Sequence, residues 1–330
     1  MAIPKILVVR LSSIGDIVLT TPLVRCLKQQ LPNAEIHYLT KPQFAGILNP
    51  NPYITKVHLW QDGIGRTAQS LQSENFTHLI DLHHNQRTLL LKWKIGIPSR
   101  SFNKLNFQKW LAVNVKYNIL PPLHIVDRYM ETVSFLNVQN DGQGLDFFIR
   151  PNEEVDIPTH FPMIGSSPFM AMAIGAAHTT KCLPLHKLLV ICELIKLPII
   201  LLGGANDAEM GTKLSLKLPK QVVNACGQLS LQQSASVIKQ SAKIITPDTG
   251  LMHIAAAFNK PIMSVWGNTI PEFGMYPYFP TQNPSSYAIA EVKGLPCRPC
   301  SKIGFDACPK KHFLCMELID ENFVADWVND

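Results

Sequence analysis

Short apolar, β-branched runs, each leading into a turn of small or polar residues and then into a stretch of helical period, recur along the whole chain. Residues 5–10, 35–40, 56–60 and 77–82 read as strands in the first half, and 169–174, 198–202, 222–225, 243–246 and 261–266 in the second. Near-continuous apolar strands alternating with helices are what a parallel sheet covered on both faces demands. Between the two series, residues 151–167 carry Pro151, Pro158 and Pro162, with Pro168 at their edge, which reads as a linker. The expected architecture is two doubly wound α/β domains facing each other across a cleft. A chain of 330 residues accommodates two domains of roughly 150 residues each.

In such sheets ligands bind at the carboxyl ends of the strands, so the loops there carry the functional reading. Asp248-Thr249-Gly250 follows strand 243–246 and opens a helix. A helix starting near Thr249 offers unpaired N–H groups and a positive dipole end to an anion. Gly250 permits close backbone approach, Asp248 either caps the helix or accepts sugar hydroxyls, and His253 is either a ligand contact on the first turn or a structural residue. Lys181, in the loop 175–184 that begins at Gly175, can set an ammonium on a phosphate, and Gly203-Gly204 forms a third such turn.

In the first half, the loop 11–16 contains Ser13 and Gly15 and has Asp16 as its one carboxylate. Asp16 is either a general base at the mouth of the first strand or a helix cap. The helix that follows either begins just before Pro22, capped by Thr20 or Thr21, or starts near Asp16 and bends at the proline. His83, His84, Asn85 and Arg87 leave the strand 77–82, and with Arg100 and Lys104 they either meet an anionic acceptor or form a solvated face. Neither GxGxxG nor GxxxxGK[ST] occurs, so dinucleotide and P-loop fingerprints are missing. Residues 124–136 read as a helix with Tyr129, Val133 and Leu136 on one face, and 229–240 as one capped by Ser230. Met316, Ile319, Phe323 and Trp327 mark an amphipathic terminal helix.

Composition excludes several classes. The longest apolar run, 197–205, contains Pro198 and two glycines and falls far short of the ~20 residues a membrane span needs. Residues 1–9 are apolar, but Arg10 and Asp16 follow without a cleavage-site pattern, which reads as an opening strand of a cytoplasmic protein rather than a signal peptide. A net charge of +6 favours anionic partners such as nucleotides, phosphorylated glycolipids or an acidic membrane face. No arginine-rich run, zinc finger or RNP-like pattern points to nucleic acid. Of the eight cysteines, Cys297, Cys300, Cys308 and Cys315 form C-x2-C-x7-C-x6-C, which is either a zinc-type site or a cluster of free thiols in a proline-constrained loop.

The motifs from Arg10 to Asp16, the lysine loop from Gly175 to Pro184, Gly203-Gly204-Ala205, Asp248 to His253 and the cysteine-rich tail occur together in this order. Over essentially the whole chain this resembles glycosyltransferase family 9, the heptosyltransferases of lipopolysaccharide core assembly. The resemblance implies a GT-B architecture, with an acceptor-binding domain at 1–155, a nucleotide-sugar-binding domain at 165–315 and a terminal helix, 316–330, returning to the first domain. It implies Asp16 as catalytic base and Lys181 as the phosphate ligand. The donor would be held by Gly15, Ala176, Ala177, Gly204, Asp207, Asp248, Thr249, Gly250, Leu251 and His253, and the acceptor by Ser13, His83, Asn85, Arg87 and Arg100. It also implies an inverting transfer of heptose or a related sugar, with ADP-heptose as donor and no metal or other cofactor. The partners implied are a lipid-linked or phosphorylated glycan acceptor and transient contact of a monomer with the inner membrane surface.

The sequence departs from the family pattern at Ala176 and Ala177, where hydroxyl residues are common, at Leu183, and at Asn206-Asp207, where the expected carboxylate is displaced or replaced. These departures leave two alternatives of other classes, a catalytically inactive nucleotide- or carbohydrate-binding relative and a nucleotide-sugar hydrolase or epimerase of the same fold.

Overall fold

Apolar segments form the strands at both sheet centres. The computed structural model describes residues 4–330; residues 1–3 of the opening segment lie outside the described residues. The chain divides into two units.

In the first unit, β1 (Lys5–Val9), β2 (Glu35–Thr40), β3 (Lys56–Leu59), β4 (His78–Asp81) and β5 (Ser99–Ser101) form an all-parallel sheet in the order β3-β2-β1-β4-β5. Leu7, Val9, Leu39 and Leu79 are fully buried, and Ala68 and Leu71 of the helix Ile64–Gln72 cover them. The strand order reverses between β1 and β4. Both openings considered for the helix after β1 are realised in part. A short helix, Ile14–Val18, starts beside Asp16, and a second, Thr21–Gln30, starts with Pro22 in its first turn. Arg25 of that second helix is buried and ties it to residues 141–146. Its guanidinium takes Asp141 in a fork at 2.7 and 2.8 Å, Asp146 through Nη1, and the Gly144 carbonyl at 2.9 Å.

The second unit carries β6 (Met170–Ala173), β7 (Ile199–Leu202), β8 (Val222–Asn224), β9 (Ile244–Pro247), β10 (Ile262–Trp266) and β11 (Tyr287–Glu291), parallel in the order β11-β10-β9-β6-β7-β8. Here the order reverses between β6 and β9. Ser230 caps the helix Leu231–Gln240 in a reciprocal pair with Gln233, at 2.9 and 3.1 Å.

Two features differ from expectation. Residues 105–122 group with the second unit, because Ala112, Val113 and Leu120 pack on Ile270 and Phe273. The terminal segment is two helices, Leu314–Glu317 and Glu321–Asn329, because Asp320 accepts the N–H groups of Asn322 and Phe323 and restarts the helix. Its buried face is therefore Val324, Ala325 and Val328, and Phe323 stands 45 % exposed. This helix packs against the helix Leu185–Leu194 of the second unit. Lys187 pairs with Glu321 at 2.6 Å, and Asn329 bonds the Lys196 N–H and the Leu194 carbonyl at 3.0 Å each. The edge strands β5 and β11 add to the nine strands read from the sequence.

Candidate active site

The site residues fall into two groups, one per unit, each at the point where a sheet's strand order reverses. In the first unit, the loop leaving β1 carries Ser13, Gly15 and Asp16, and the loop leaving β4 carries His83 and Asn85. Asp16 takes part in the cap of the helix Ile14–Val18. Its Oδ2 accepts the Ser13 N–H at 3.1 Å and the Ser13 hydroxyl at 2.9 Å, while Oδ1 pairs with Arg10 Nη2 at 2.7 Å. Its side chain keeps 19 % exposure. Burial opposes its charge, but the Arg10 guanidinium and the two bonds from Ser13 outweigh it and hold the carboxyl below its ordinary value.

Arg10 is the residue the sequence reading passed over, although it stands in the same motif. Buried at the end of β1, it donates Nε to the Ser12 carbonyl at 2.7 Å and Nη1 to the Leu82 carbonyl and to the Tyr129 hydroxyl at 3.2 Å. Every arm of the guanidinium is thereby fixed, so the fork holds Asp16 rather than following it. A cation directly after a fully apolar strand is the signal that could have revealed it.

His83 is half-buried, and burial, then the charges of Arg10 and Lys104, push its imidazole down to about 4. It is neutral at pH 7. Asp81, fully buried, anchors this loop by accepting the N–H groups of His83 and His84 at 3.1 and 2.7 Å. Asn85 is a cap: its side chain accepts the Thr88 N–H at 3.0 Å and starts the helix Gln86–Ile95. The acceptor role assigned to it competes with that bond. Arg87 is exposed on the helix. Arg100 stands on the edge strand β5, over the Phe135 ring at 5.4 Å, and is not gathered with the loops after β1 and β4.

In the second unit, the loop after β6 brings Lys181 to the end of β9. Lys181 Nζ lies 2.6 Å from Asp248 Oδ2, and the Thr269 hydroxyl donates to the same oxygen at 3.0 Å. Thr249 is the N-cap of the helix Gly250–Ala257, and Asp248, Thr249, Gly250 and Leu251 are all half-buried. His253 is 2 % exposed and sits on the buried side of that helix. Ala176 is half-buried, and Ala177 and Gly204 are exposed in the loops after β6 and β7. Asp207 is turned back onto its own loop, where it accepts the Gly204 N–H at 2.8 Å. A Cβ at Gly175 would lie 1.9 Å from Asp207 Oδ2, so the two loops meet only because Gly175 has no side chain.

The loop after β10 supplies residues that the sequence reading did not single out. Asn268 is 2 % exposed, and neither atom of its side-chain amide has a partner. A buried amide left open beside Thr269 and Asp248 suits a polar ligand group. Arg298 holds this loop, donating to the Gly267 carbonyl at 2.7 Å and the Thr269 carbonyl at 2.9 Å, and pairing with Glu291 at 2.6 Å.

Among the described residues, one cluster of metal-type ligands lies apart from these loops. His37, His58 and Glu74 converge within 4.8 Å, but Glu74 is already paired with Lys5 at 2.8 Å and Lys56 at 2.5 Å. The four C-terminal cysteines form no disulfide. Cys300 Sγ donates to the Cys297 carbonyl at 2.9 Å, and Cys297 Sγ lies 3.8 Å from His312 Nε2.

Two Rossmann-like parallel sheets, each with polar loops at its switch point, are the architecture of the GT-B fold. A family model described as glycosyltransferase family 9 (heptosyltransferase) matches residues 64–302. The lipopolysaccharide heptosyltransferase 1 of Campylobacter coli is 24 % identical over 288 residues, covering 80 % of this chain and 84 % of that one. Among solved structures, the glycosyl transferase family 9 protein of Veillonella parvula superposes with a TM-score of 0.73 at 21 % identity, covering 88 % and 86 % of the two chains. The E. coli heptosyltransferase WaaC with ADP gives 0.66 at 20 % identity, covering 87 % and 93 %. The chain belongs to glycosyltransferase family 9 and is a glycosyltransferase.

Proposed function

We propose that the protein transfers a heptose or a related sugar from a nucleotide-diphosphate donor, ADP-heptose in the first instance, to a lipopolysaccharide core or other cell-envelope glycan. Transfer proceeds with inversion and without a metal ion. The observation that carries this reading is the assembly of Lys181, Asp248 and Thr269 at the start of the helix Gly250–Ala257. An ammonium and the N–H groups of a helix N-terminus together suit a diphosphate. The solved E. coli relative with ADP supports adenine as the base.

The acceptor hydroxyl attacks the anomeric carbon from the face opposite the nucleotide, and Asp16 takes its proton as the new C–O bond forms. The bond to the diphosphate breaks, and the charge left on the departing nucleotide is met by Lys181 and the N–H groups of Thr249 and Gly250. Ser13, His83 and Arg87 are the residues of the first unit available to the acceptor.

Calorimetric titration with ADP, UDP, GDP and CDP, with and without EDTA, tests the donor half. Selective ADP binding that EDTA leaves intact and that Lys181→Ala weakens supports the reading; binding of none of the four overturns it. Asp16→Asn is expected to abolish transfer and leave ADP affinity nearly unchanged. Equal loss of both would reduce Asp16 to a structural cap.

A further inference from the structure

Residues 82–126 contain five lysines, two arginines and no carboxylate, so this stretch alone exceeds the +6 net charge of the 330-residue chain. The same 45 residues hold eight of the nineteen exposed large hydrophobic side chains among the described residues. Residues 82–104 of this stretch belong to the first unit, where exposed cationic and apolar groups gathered on one helix describe an interaction face rather than ordinary scatter.

The helix Gln86–Ile95 shows how the two features are arranged. Thr88 and Leu91 are its buried line, and Lys92 turns inward to Asp81 at 3.2 Å and the Ser101 hydroxyl at 2.6 Å. Leu89 is 58 %, Leu90 51 % and Trp93 79 % exposed. At helical spacing, Leu89 and Trp93 form one line, and Arg87, Leu90 and Lys94 form the next, with both cations exposed. A tryptophan between aliphatic neighbours and flanking cations is the pattern of a helix lying in the lipid headgroup layer.

We propose that the outward face of the helix Gln86–Ile95 docks on an anionic phospholipid bilayer. A second copy of the chain is the poorer occupant, because a two-fold contact would set this carboxylate-free, cationic stretch against itself. Nucleic acid is also poorer, because aliphatic side chains such as Leu89 and Leu90 offer bases no stacking surface. The proposal names the surface on which a lipid-linked acceptor is met, and rests on the proposed function only for that purpose.

The test is co-sedimentation of the full chain with vesicles of phosphatidylcholine and phosphatidylglycerol at 3:1, against vesicles of pure phosphatidylcholine. The expected result is binding to the anionic vesicles at least tenfold tighter, weakening as salt rises. The triple change Leu89→Ser, Leu90→Ser and Trp93→Ser should reduce it at least tenfold, and Lys94→Gln should reduce it by a smaller factor. ADP affinity and the melting temperature of each variant check that the fold is intact. Absence of vesicle binding, or equal binding by wild type and the triple variant, overturns the proposal, as does self-association that the triple variant abolishes. Because vesicle binding needs no sugar substrate, its failure leaves the transfer reaction standing, and failure of transfer leaves the lipid face standing.

Discussion

Arg10→Met is the perturbation whose outcome the geometry fixes most tightly. It removes the cation paired with Asp16 at 2.7 Å while keeping a long apolar side chain at the end of β1. With Arg10 present, the charge pair outweighs burial and Asp16 titrates below its ordinary value, so the ionised base persists as pH falls. Without it, burial dominates and the carboxyl titrates higher, so activity is lost at a higher pH. A neighbouring opposite charge favours the ionised form, and the two bonds from Ser13, which survive the change, keep part of that preference. The acidic limb of kcat/KM should move upward, with kcat at neutral pH falling by about 10–100-fold from loosened orientation. Donor KM should stay within about twofold, since the proposed diphosphate contacts are Lys181, Thr249 and Gly250. The change also leaves the Ser12 and Leu82 carbonyls without a donor, costing about 1–3 kcal/mol for each buried group. Arg10→Lys therefore serves as the second variant: it keeps the cation, loses the fork and should place the limb between the other two. The assay is ADP release with acceptor present, across pH. An acidic limb that stays put while kcat falls would show that Arg10 only supports the fold.

Two further outcomes follow from packing. Gly267→Ala would set a Cβ 2.6 Å from the Thr180 carbonyl, so we expect a loss of about 1–3 kcal/mol in denaturant unfolding together with weaker nucleotide binding as the Lys181 loop shifts. Unchanged nucleotide affinity would disprove that coupling. Arg25→Met leaves Asp141 and Asp146 without their cation, and urea unfolding should show the first unit destabilised by about 3–5 kcal/mol, against an argument that fails if the loss is under about 1 kcal/mol.

The sequence made the sheet centres and their loops readable for a physical reason. Strands such as 5–9, 170–173 and 244–247 are buried on both faces and so are continuous apolar runs, and the turns after them are short and polar. Two of the four edge strands lack that signature: Ser99–Ser101 and Tyr287–Glu291 each pair on one side only and keep polar or exposed residues. The attachment of 105–122 to the second unit was equally hidden, because it depends on Ile270 and Phe273, far along the chain. In the site, Asp16, Lys181 and Asp248 could be picked by chemistry and position. The grip of Arg10 on Asp16 could not, since it runs through Leu82 and Tyr129. Asn268 escaped because its openness is a matter of what surrounds it, which no local pattern records.

Arg298 sits between Cys297 and Cys300 yet fastens Gly267, Thr269 and Glu291, while Gly267 admits the backbone of Thr180 next to Lys181. Four segments scattered over more than a hundred residues thus behave as one interchangeable block. Anyone redirecting this enzyme to another nucleotide sugar by grafting loops from a relative must transplant residues 175–184, 248–251, 267–269 and 297–300 as a set, because any one of them alone would meet a partner shaped for the original.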